Sequence, residues 1–302
     1  MKRVLACVAT AALALTACGG KTDPLAGPSS TAAPVAADTI TIGSANFTES
    51  TLLAEIYAAA LEGKGVKVSK KLNIGSRETY FKGLQDGSID LIPEYTGNLL
   101  LHLNKEAKET VDNEVYGALE KALPDNLIVL DKSDAEDKDA VVVSKETAEK
   151  LGVKSIADLA AKGPVVFGGP PEFQKRADGL PGLKANYNLE VSEYKSLDVG
   201  GPLTVDALKS GAVQAADLFT TDVAITANGF VVLEDPNSNF SAQNVVPLIN
   251  KAKASDNVKK VLNAISAKLT TEILLELNGK LAAPDKPDPA KVAKDWLASA
   301  GI

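Results

Sequence analysis

Strand-like and helix-like segments alternate along most of this sequence, and that alternation limits the fold more than any other feature. Short runs rich in Val and Ile alternate with longer amphipathic stretches from residue 39 to residue 249. The first are typical of buried strands and the second of helices. Such an order implies an α/β fold with a parallel sheet covered by helices on both faces.

The predicted strands are too many for one sheet of ordinary size, so we expect two α/β lobes. The chain is predicted to cross near Asp139 and to return near Gln243, which assigns 39–138 and 244–302 to the first lobe and 139–243 to the second. The predicted strands are 39–44, 66–72, 89–92, 140–143, 165–168, 191–194, 213–218, 231–233 and 245–249. The predicted helices are 48–62, 76–85, 155–161, 179–187, 203–210 and several from Asp256 onward. Two lobes joined by two crossings create a cleft, where small molecules bind in open α/β folds.

The N-terminus predicts export. Lys2 and Arg3 precede an apolar run that is too short for a permanent span and ends in Leu-Thr-Ala-Cys at Cys18, which indicates a signal peptide over 1–17. This ending resembles the lipobox of bacterial lipoproteins, which implies a lipid on Cys18 and attachment to the outer face of the cytoplasmic membrane; an ordinary signal peptide with an incidental cysteine is the alternative. Residues 18–38, rich in Gly, Pro, Ser, Thr and Ala, are predicted to be the anchor and a flexible linker.

Charge and cysteine usage exclude several classes of protein. The formal net charge is −7 and becomes −9 without Lys2 and Arg3, which argues against nucleic acid as a partner. No other run of about 18 apolar residues predicts a membrane span. Cys7 lies in the predicted signal peptide, which leaves Cys18 as the only cysteine after cleavage. No disulfide within the mature chain is therefore expected, and its folded part must be stabilised by its own hydrophobic core.

Nothing in the sequence predicts an enzyme, a metal site or a cofactor. His102 is the single histidine and lies in an apolar stretch, where a structural role is favoured over catalysis. No nucleophile with its base, zinc-ligand spacing or phosphate-binding loop can be assembled. A lipid-anchored sensor or adhesion module stays open as an alternative to a transport receptor, and gene neighbourhood would separate the two.

The turns after the first and third strands are the predicted positions of binding chemistry. Asn46, followed by Glu49, fits a capping box, while the same helix start could instead present N–H groups to an anion. The third strand is expected to stop at Pro93, which has no N–H for a central ladder. Tyr95 then lies at the cleft edge, either as a core aromatic or as a ligand contact. The charged run from Asp131 to Asp139 is expected to be a solvated loop.

Three motifs in this order resemble one family. The segments GS-x-NFTE, G-x-RE and PEYTG lie between Ile40 and Leu100, and further likeness covers 171–176, 178–183 and 219–222. Together they resemble the glycine betaine, choline and carnitine binding proteins of osmoprotectant ABC importers (ProX/OpuC type). The resemblance implies a two-lobed type II periplasmic binding protein. It also implies a monomer that closes on a quaternary ammonium ligand and delivers it to an ABC permease.

The resemblance implies the site residues. Tyr95 falls on a tyrosine of the aromatic cage, and Arg176 falls on an arginine that binds the ligand or, with Glu172, locks the closed cleft. The ligand-binding positions implied in this way are Asn46, Phe47, Tyr95, Thr96, Gly97, Asn98, Asp139, Arg176, Phe219, Thr220, Phe240 and Gln243.

Several positions depart from the family pattern. Ala45 stands where a lysine is usual, Asn98 where a threonine is usual, and Phe219 where a cage tyrosine is often found. Phe219 and Phe240 have core packing as an alternative role. Because phenylalanine keeps the ring face but lacks the hydroxyl, the ligand could also be a different small amphiphile.

Overall fold

Two five-stranded sheets, each with helices on both faces, organise the part of the chain that this computed structural model describes, residues 38–302. The predicted signal peptide, Cys18 and nearly all of the predicted linker lie outside the described residues. Within 38–302 no helix is long and apolar enough to cross a membrane.

The first sheet is formed by strands from both ends of the described chain, in the order β2-β1-β3-β10-β4. Its strands are β1 (Ile40–Gly43), β2 (Val68–Lys71), β3 (Leu91–Tyr95), β4 (Leu127–Val129) and β10 (Val245–Asn250). The second sheet has the order β7-β6-β8-β5-β9. Its strands are β5 (Asp139–Val143), β6 (Val165–Gly169), β7 (Val191–Ser196), β8 (Ala215–Phe219) and β9 (Val231–Val232).

Twelve α-helices lie within the described residues and cover the two sheets. They are α1 (Thr48–Gly63), α2 (Arg77–Asp86), α3 (Thr96–Leu103), α4 (Asp112–Ala122), α5 (Lys145–Leu151), α6 (Ile156–Ala160), α7 (Leu180–Tyr187), α8 (Pro202–Lys209), α9 (Val223–Asn228), α10 (Asp256–Ser266), α11 (Thr271–Leu281) and α12 (Pro289–Ala300). Short 3₁₀ turns occupy Pro171–Gln174 and Lys251–Lys253.

The α/β fold with two lobes is confirmed, and each predicted element is present with its ends displaced by a few residues. Sequence patterns did not predict α3, α4, α5, α9 or β4. The chain changes sheet between β4 and β5 and again between β9 and β10. The exact lobe boundaries at 138/139 and 243/244 stay a prediction.

The expected parallel arrangement is wrong for one strand in each lobe, which forms two antiparallel pairs. β1, β2 and β3 are parallel, but β10 is antiparallel to β3 and β4. Likewise β5 is antiparallel to β8 and β9, whereas β6, β7 and β8 are parallel. The reason is the double crossing: β10 starts at Val245 opposite Tyr95, where β3 ends, and β5 starts opposite the end of β8. A strand that enters from the cleft must run away from it.

The expectation that the third strand stops at Pro93 is also wrong. β3 runs through Pro93 in the middle of the sheet, opposite Pro247 of β10. The Pro247 carbonyl accepts a hydrogen bond from the N–H of Leu130 on the other side of β10. The two prolines therefore form a non-hydrogen-bonded pair of the antiparallel ladder, in which neither needs an N–H toward its partner.

Alternating side chains place apolar residues on both faces of each sheet. In β10, Val245 and Ile249 pack with α1, α10, α11 and α12, whereas Val246 and Leu248 pack with α2, α3 and α4. In β5, Val141 and Val143 face one apolar cluster of the second lobe, and Ala140 and Val142 face the other. Each lobe is thus a three-layer unit with its own core.

Candidate ligand-binding cleft

A small cavity of about 50 Å³ lies between the lobes, where strands of both sheets end. Its aromatic wall is formed by Phe47, Tyr80 and Tyr95 of the first lobe and Phe219 of the second. Phe47 follows β1, while Tyr95 and Phe219 are the last residues of β3 and β8. The carboxyl ends of parallel strands are the expected position of a ligand site in such folds.

Three of these rings approach one another across the cleft. The ring centroid of Phe47 lies 5.2 Å from that of Phe219 and 6.1 Å from that of Tyr95. Rings at such distances and inclinations can present several faces to one cationic group. Sequence-predicted Asn46 and Asn98 also line the cavity, and Asn46 is exposed.

Tyr95 combines the two roles that the sequence left open. Its side chain belongs to the core of the first lobe and is 6% exposed, yet its ring also lines the cavity. Its hydroxyl donates to Glu49 Oε1 at 2.6 Å. Burial, together with the neighbouring carboxylate of Glu49, raises the pKa of Tyr95 well above its ordinary value.

Glu49 forms hydrogen bonds to residues of both lobes and does not cap helix α1. Helix α1 has Phe47 as its N-cap and no side-chain cap, so the predicted capping box of Asn46 and Glu49 is wrong. The Glu49 carboxylate accepts further hydrogen bonds from Thr221 Oγ1 at 2.7 Å and from Asn278 Nδ2 at 2.6 Å. Thr221 follows β8 of the second lobe, so one carboxylate connects α1, β3, α11 and the second lobe.

Arg77, which lines the cavity, forms a buried ion pair with Glu94. Arg77 Nε lies 3.0 Å from Glu94 Oε1, and Nη2 lies 2.9 Å from Oε2, while the Tyr80 hydroxyl donates to the same carboxylate at 2.7 Å. The two charged side chains are 7% and 0% exposed. Geometry of this kind, with two parallel hydrogen bonds, satisfies both charges away from water.

Arg176 crosses the cleft. Its Nε and Nη2 donate to the two carboxylate oxygens of Glu78, on α2 of the first lobe, at 3.1 and 3.2 Å. Partial burial would raise the pKa of Glu78, but the hydrogen bonds and charge of Arg176 outweigh it and lower that pKa to about 2. Glu172 lies in the wall of the same cavity, and its backbone carbonyl accepts from the N–H of Arg176.

The charged run from Asp131 to Asp139 is a solvated loop only in part, since Asp131 and Asp134 are exposed. Ser133, Ala135, Asp137 and Asp139 are buried, because this segment crosses between the lobes beside the returning chain. Burial, with a further contribution from the Glu49 charge, raises the pKa of Asp137 well above its ordinary value. Asp137 also accepts a hydrogen bond from the N–H of Thr221 at 3.1 Å.

Asp139 lies in a group of buried acids at the second lobe. The Asn98 side-chain amide donates to Asp139 at 2.6 Å, and thereby links α3 to the start of β5. Burial, together with the charge of Asp139, raises the pKa of Asp178 to about 7 and that of Asp217 well above its ordinary value. Asp178 contributes to the wall of a second cavity of about 470 Å³, which shares Arg77, Asn98, Glu172 and Arg176 with the first.

Six predicted site residues lie outside the walls of these two cavities, and Asp139, described above, is one of them. Thr96, Gly97 and Gln243 hold the crossing segments: Thr96 donates to the Ala242 carbonyl, and the Gln243 side chain accepts from the N–H of Asn98. The remaining two are Thr220, which accepts from the N–H of Lys138, and Phe240, which packs near Phe173 in the core of the second lobe. Their predicted ligand contacts stay predictions.

The comparisons with known proteins identify the family. The sequence profile described as the substrate binding domain of ABC-type glycine betaine transport systems matches residues 38–299. The chain belongs to this family. This glycine betaine transport family consists of transporter binding domains rather than enzymes, and it works outside the cytoplasm.

Individual relatives agree with the family assignment. The glycine betaine-binding protein YehZ of Escherichia coli K12 is 28% identical over 88% of this chain and 92% of its own. The glycine-betaine-binding protein of Pseudomonas aeruginosa is 27% identical over 86% of this chain and 88% of its own. The crystal structure of a glycine betaine/carnitine/choline ABC transporter superposes with a TM-score of 0.68 at 22% identity, over 87% of this chain and 98% of the other, which shows a shared fold.

Sequence reasoning missed Glu49, Arg77, Tyr80, Glu94 and Thr221. Four of these five lie in or beside the motifs GS-x-NFTE, G-x-RE and PEYTG. The available signal was the charged residues inside those motifs. Glu49 of GS-x-NFTE pairs with Tyr95 of PEYTG, and Arg77 of G-x-RE pairs with Glu94 of PEYTG. Reading each motif by itself concealed that pairing.

Proposed function

We propose that this protein captures a quaternary ammonium osmolyte in the cleft between its lobes and delivers it to an ABC permease. Glycine betaine, choline and carnitine are the proposed ligands. The proposed mature form is a monomer held by a lipid on Cys18 at the outer face of the cytoplasmic membrane. The printed names of the Escherichia coli and Pseudomonas aeruginosa relatives, both glycine betaine-binding, support this ligand class.

The convergence of aromatic rings from both lobes on one cavity carries the proposal. Phe47 and Tyr95 come from the first lobe and Phe219 from the second, so a trimethylammonium group between them would be held by both. Each ring face contributes about 0.5–2 kcal/mol to such a cation when water is excluded. Binding would therefore stabilise the closed arrangement of the lobes.

A thermal-shift screen on the purified two-lobed part of the chain, residues 39–302, tests the ligand class. Choline, glycine betaine, carnitine and proline betaine are compared with ethanolamine and glycine, which lack the methyl groups. A ligand at 100 times its dissociation constant stabilises by roughly 2.7 kcal/mol. We expect stabilisation by the methylated compounds only. An equal response to the unmethylated pair, or no response to any compound, contradicts the proposal.

The anchor is tested separately on the full-length chain. Cys18→Ala is expected to move the protein from the membrane to the soluble fraction or to leave an unprocessed precursor. Labelling with palmitate that persists in this variant contradicts lipid attachment at Cys18.

A further inference from the structure

Glu49 is a buried acid directly behind the aromatic wall of the cleft. Its side chain is 5% exposed and is not part of the cavity wall. Its three partners are the hydroxyls of Tyr95 and Thr221 and the side-chain amide of Asn278, at 2.6, 2.7 and 2.6 Å. All three donate to Glu49, which is the arrangement that an ionised carboxylate accepts.

Among the described residues, no positive side chain forms an ion pair with Glu49. None of the ion pairs within residues 38–302 includes it. The two arginines of the cavity are engaged by other acids, Arg77 by Glu94 and Arg176 by Glu78. A buried charge without a counterion attracts any cation that reaches its surroundings, because water screens it poorly.

Tyr95 connects this charge to the cavity. Its hydroxyl donates to Glu49, and its ring lines the cavity beside Phe47. Hydrogen bonds in series polarise one another, so a phenol that donates to a carboxylate presents a more electron-rich ring. A cation over that ring is attracted by the ring quadrupole and by the carboxylate behind it.

We propose that Glu49 is a positioning and specificity-determining residue that selects ligands for their positive charge, acting through Tyr95 and without touching the ligand. The inference rests on the proposed function, since it assumes that the ligand cation lies at the aromatic wall. Two acids line the cavity itself, Asp137 and Glu172. Burial and the charge of Glu49 raise the pKa of Asp137 well above its ordinary value, and Glu49 is the acid that accepts the hydrogen bond from Tyr95.

The test compares a cation with its uncharged analogue. Titration calorimetry, with competition for weak binding, measures choline and its carbon isostere 3,3-dimethyl-1-butanol against wild type and Glu49→Gln. Glutamine keeps a side-chain oxygen that can accept from Tyr95 but removes the charge. We expect choline affinity to fall by about tenfold or more, whereas affinity for the isostere stays within about threefold of wild type. An equal loss for both compounds, or no loss for choline, overturns the proposal.

Two further variants separate charge from structure. Asn278→Ala removes one hydrogen bond to Glu49 and keeps the charge. Glu55→Gln removes a buried charge from the same helix, where Glu55 pairs with Lys70 away from the cavity. Both are expected to bind choline within about threefold of wild type. If Asn278→Ala weakens choline as much as Glu49→Gln does, the role of Glu49 is structural and the proposal is wrong.

Tyr95→Phe tests the proposal independently if Glu49→Gln does not fold. This variant keeps the ring and the acid but breaks the bond between them, so the preference for choline over the isostere is expected to decrease. An unchanged preference contradicts the inference. If wild type binds neither choline nor glycine betaine, the proposed function fails, and that outcome is distinct from a failure of the role given to Glu49.

Discussion

At the residue scale, two of the three phenylalanines predicted to bind the ligand, Phe219 and Phe240, have different surroundings. Phe219 is half-buried, lines the cavity and faces Phe47, whereas Phe240 is 6% exposed and packs in the core of the second lobe. Both residues have the same side chain, so they form a matched pair. Their substitutions should separate binding from folding.

Phe219→Ala is expected to weaken a trimethylammonium ligand by about 0.5–2 kcal/mol, the contribution of one ring face, with a smaller effect on stability. Phe240→Ala is expected to lower the free energy of unfolding by about 3–5 kcal/mol, because it leaves a cavity in a packed core. Calorimetric titration and denaturant unfolding of both variants measure these effects. If folded Phe240→Ala binds the ligand more weakly than Phe219→Ala does, Phe240 rather than Phe219 is the residue that contributes to ligand binding.

Asp178 predicts a pH dependence of stability. Its pKa is about 7 in the folded protein because of burial and the charge of Asp139, compared with 3.8 for an ordinary aspartate. A carboxyl with a raised folded pKa contributes stability that is complete below about pH 4 and is lost as the pH rises through about 7. Asp178→Asn cannot ionise, so its melting temperature relative to wild type should rise between pH 5 and pH 8.

The exposed Asp125 provides the control for that experiment. Asp125→Asn removes the same charge at the surface, so its difference from wild type should stay nearly constant over the same pH range. If the difference in melting temperature between Asp178→Asn and wild type is also constant over this pH range, the pKa of Asp178 is not raised in the folded protein.

At the element scale, the start of α3 packs closely against the returning chain. A Cβ placed on Gly97 would lie 2.1 Å from Ser241 Oγ and 2.6 Å from the carbonyl oxygen of Ala242. The hydrogen bonds of Thr96 to Ala242 and Asn244 hold the same contact. The glycine of PEYTG is thus required by the approach of two backbone segments at the crossing.

Gly97→Ala is expected to destabilise the protein by about 1–3 kcal/mol, since α3 or the crossing segment must move. Gly117 is the control, because it lies inside α4 and a Cβ there meets nothing within 4 Å. Gly117→Ala should stabilise by up to about 1 kcal/mol through helix propensity. Chemical denaturation measures both changes, and a neutral Gly97→Ala would contradict the close packing described for this crossing.

At the scale of the whole molecule, the ion pair of Arg176 with Glu78 connects the two lobes across the cleft mouth. Its two hydrogen bonds at 3.1 and 3.2 Å join the segment after β6 to α2. We therefore expect Arg176 to favour lobe closure. An exposed or half-exposed pair of this kind contributes roughly 0.2–1 kcal/mol.

Arg176→Gln and Glu78→Gln should both increase the radius of gyration measured by small-angle scattering. Both should also weaken choline, glycine betaine and carnitine alike, and the double variant should be no worse than either single one. If Arg176 instead contacts a ligand carboxylate, Arg176→Gln will weaken glycine betaine and carnitine and spare choline. That selective loss would contradict the role in closure.

The pH dependence of the same ion pair follows from Glu78. Because the pKa of Glu78 is lowered to about 2 from 4.5, its contribution is complete above about pH 4.5 and is lost as the pH falls toward 2. Closure by the wild type should weaken over that acidic range. Glu78→Gln, which cannot titrate, should not show this change.

Much of the fold was determined by local patterns that sequence carries directly. Continuous apolar runs predicted β5 and β10, because strands covered on both faces need apolar side chains at every position, and the 3.6-residue period predicted α1 and α10. The three motifs also identified the family that the profile match then confirmed. Helices α5 and α9 have only seven and six residues and no buried residue, so they were not predicted.

The tertiary structure alone decided which charges and rings meet. Arg176 and Glu78 are 98 positions apart, and Glu49 and Asn278 are 229 positions apart, so no local pattern connects them. The double crossing brings these residues together and also turns β5 and β10 antiparallel to their neighbours. Pro93 is compatible with a central strand because it lies in a non-hydrogen-bonded pair with a residue of β10, Pro247. Sequence therefore determined most of the elements and the family, whereas strand direction, the buried carboxylates and the shape of the cleft depend on contacts between distant segments.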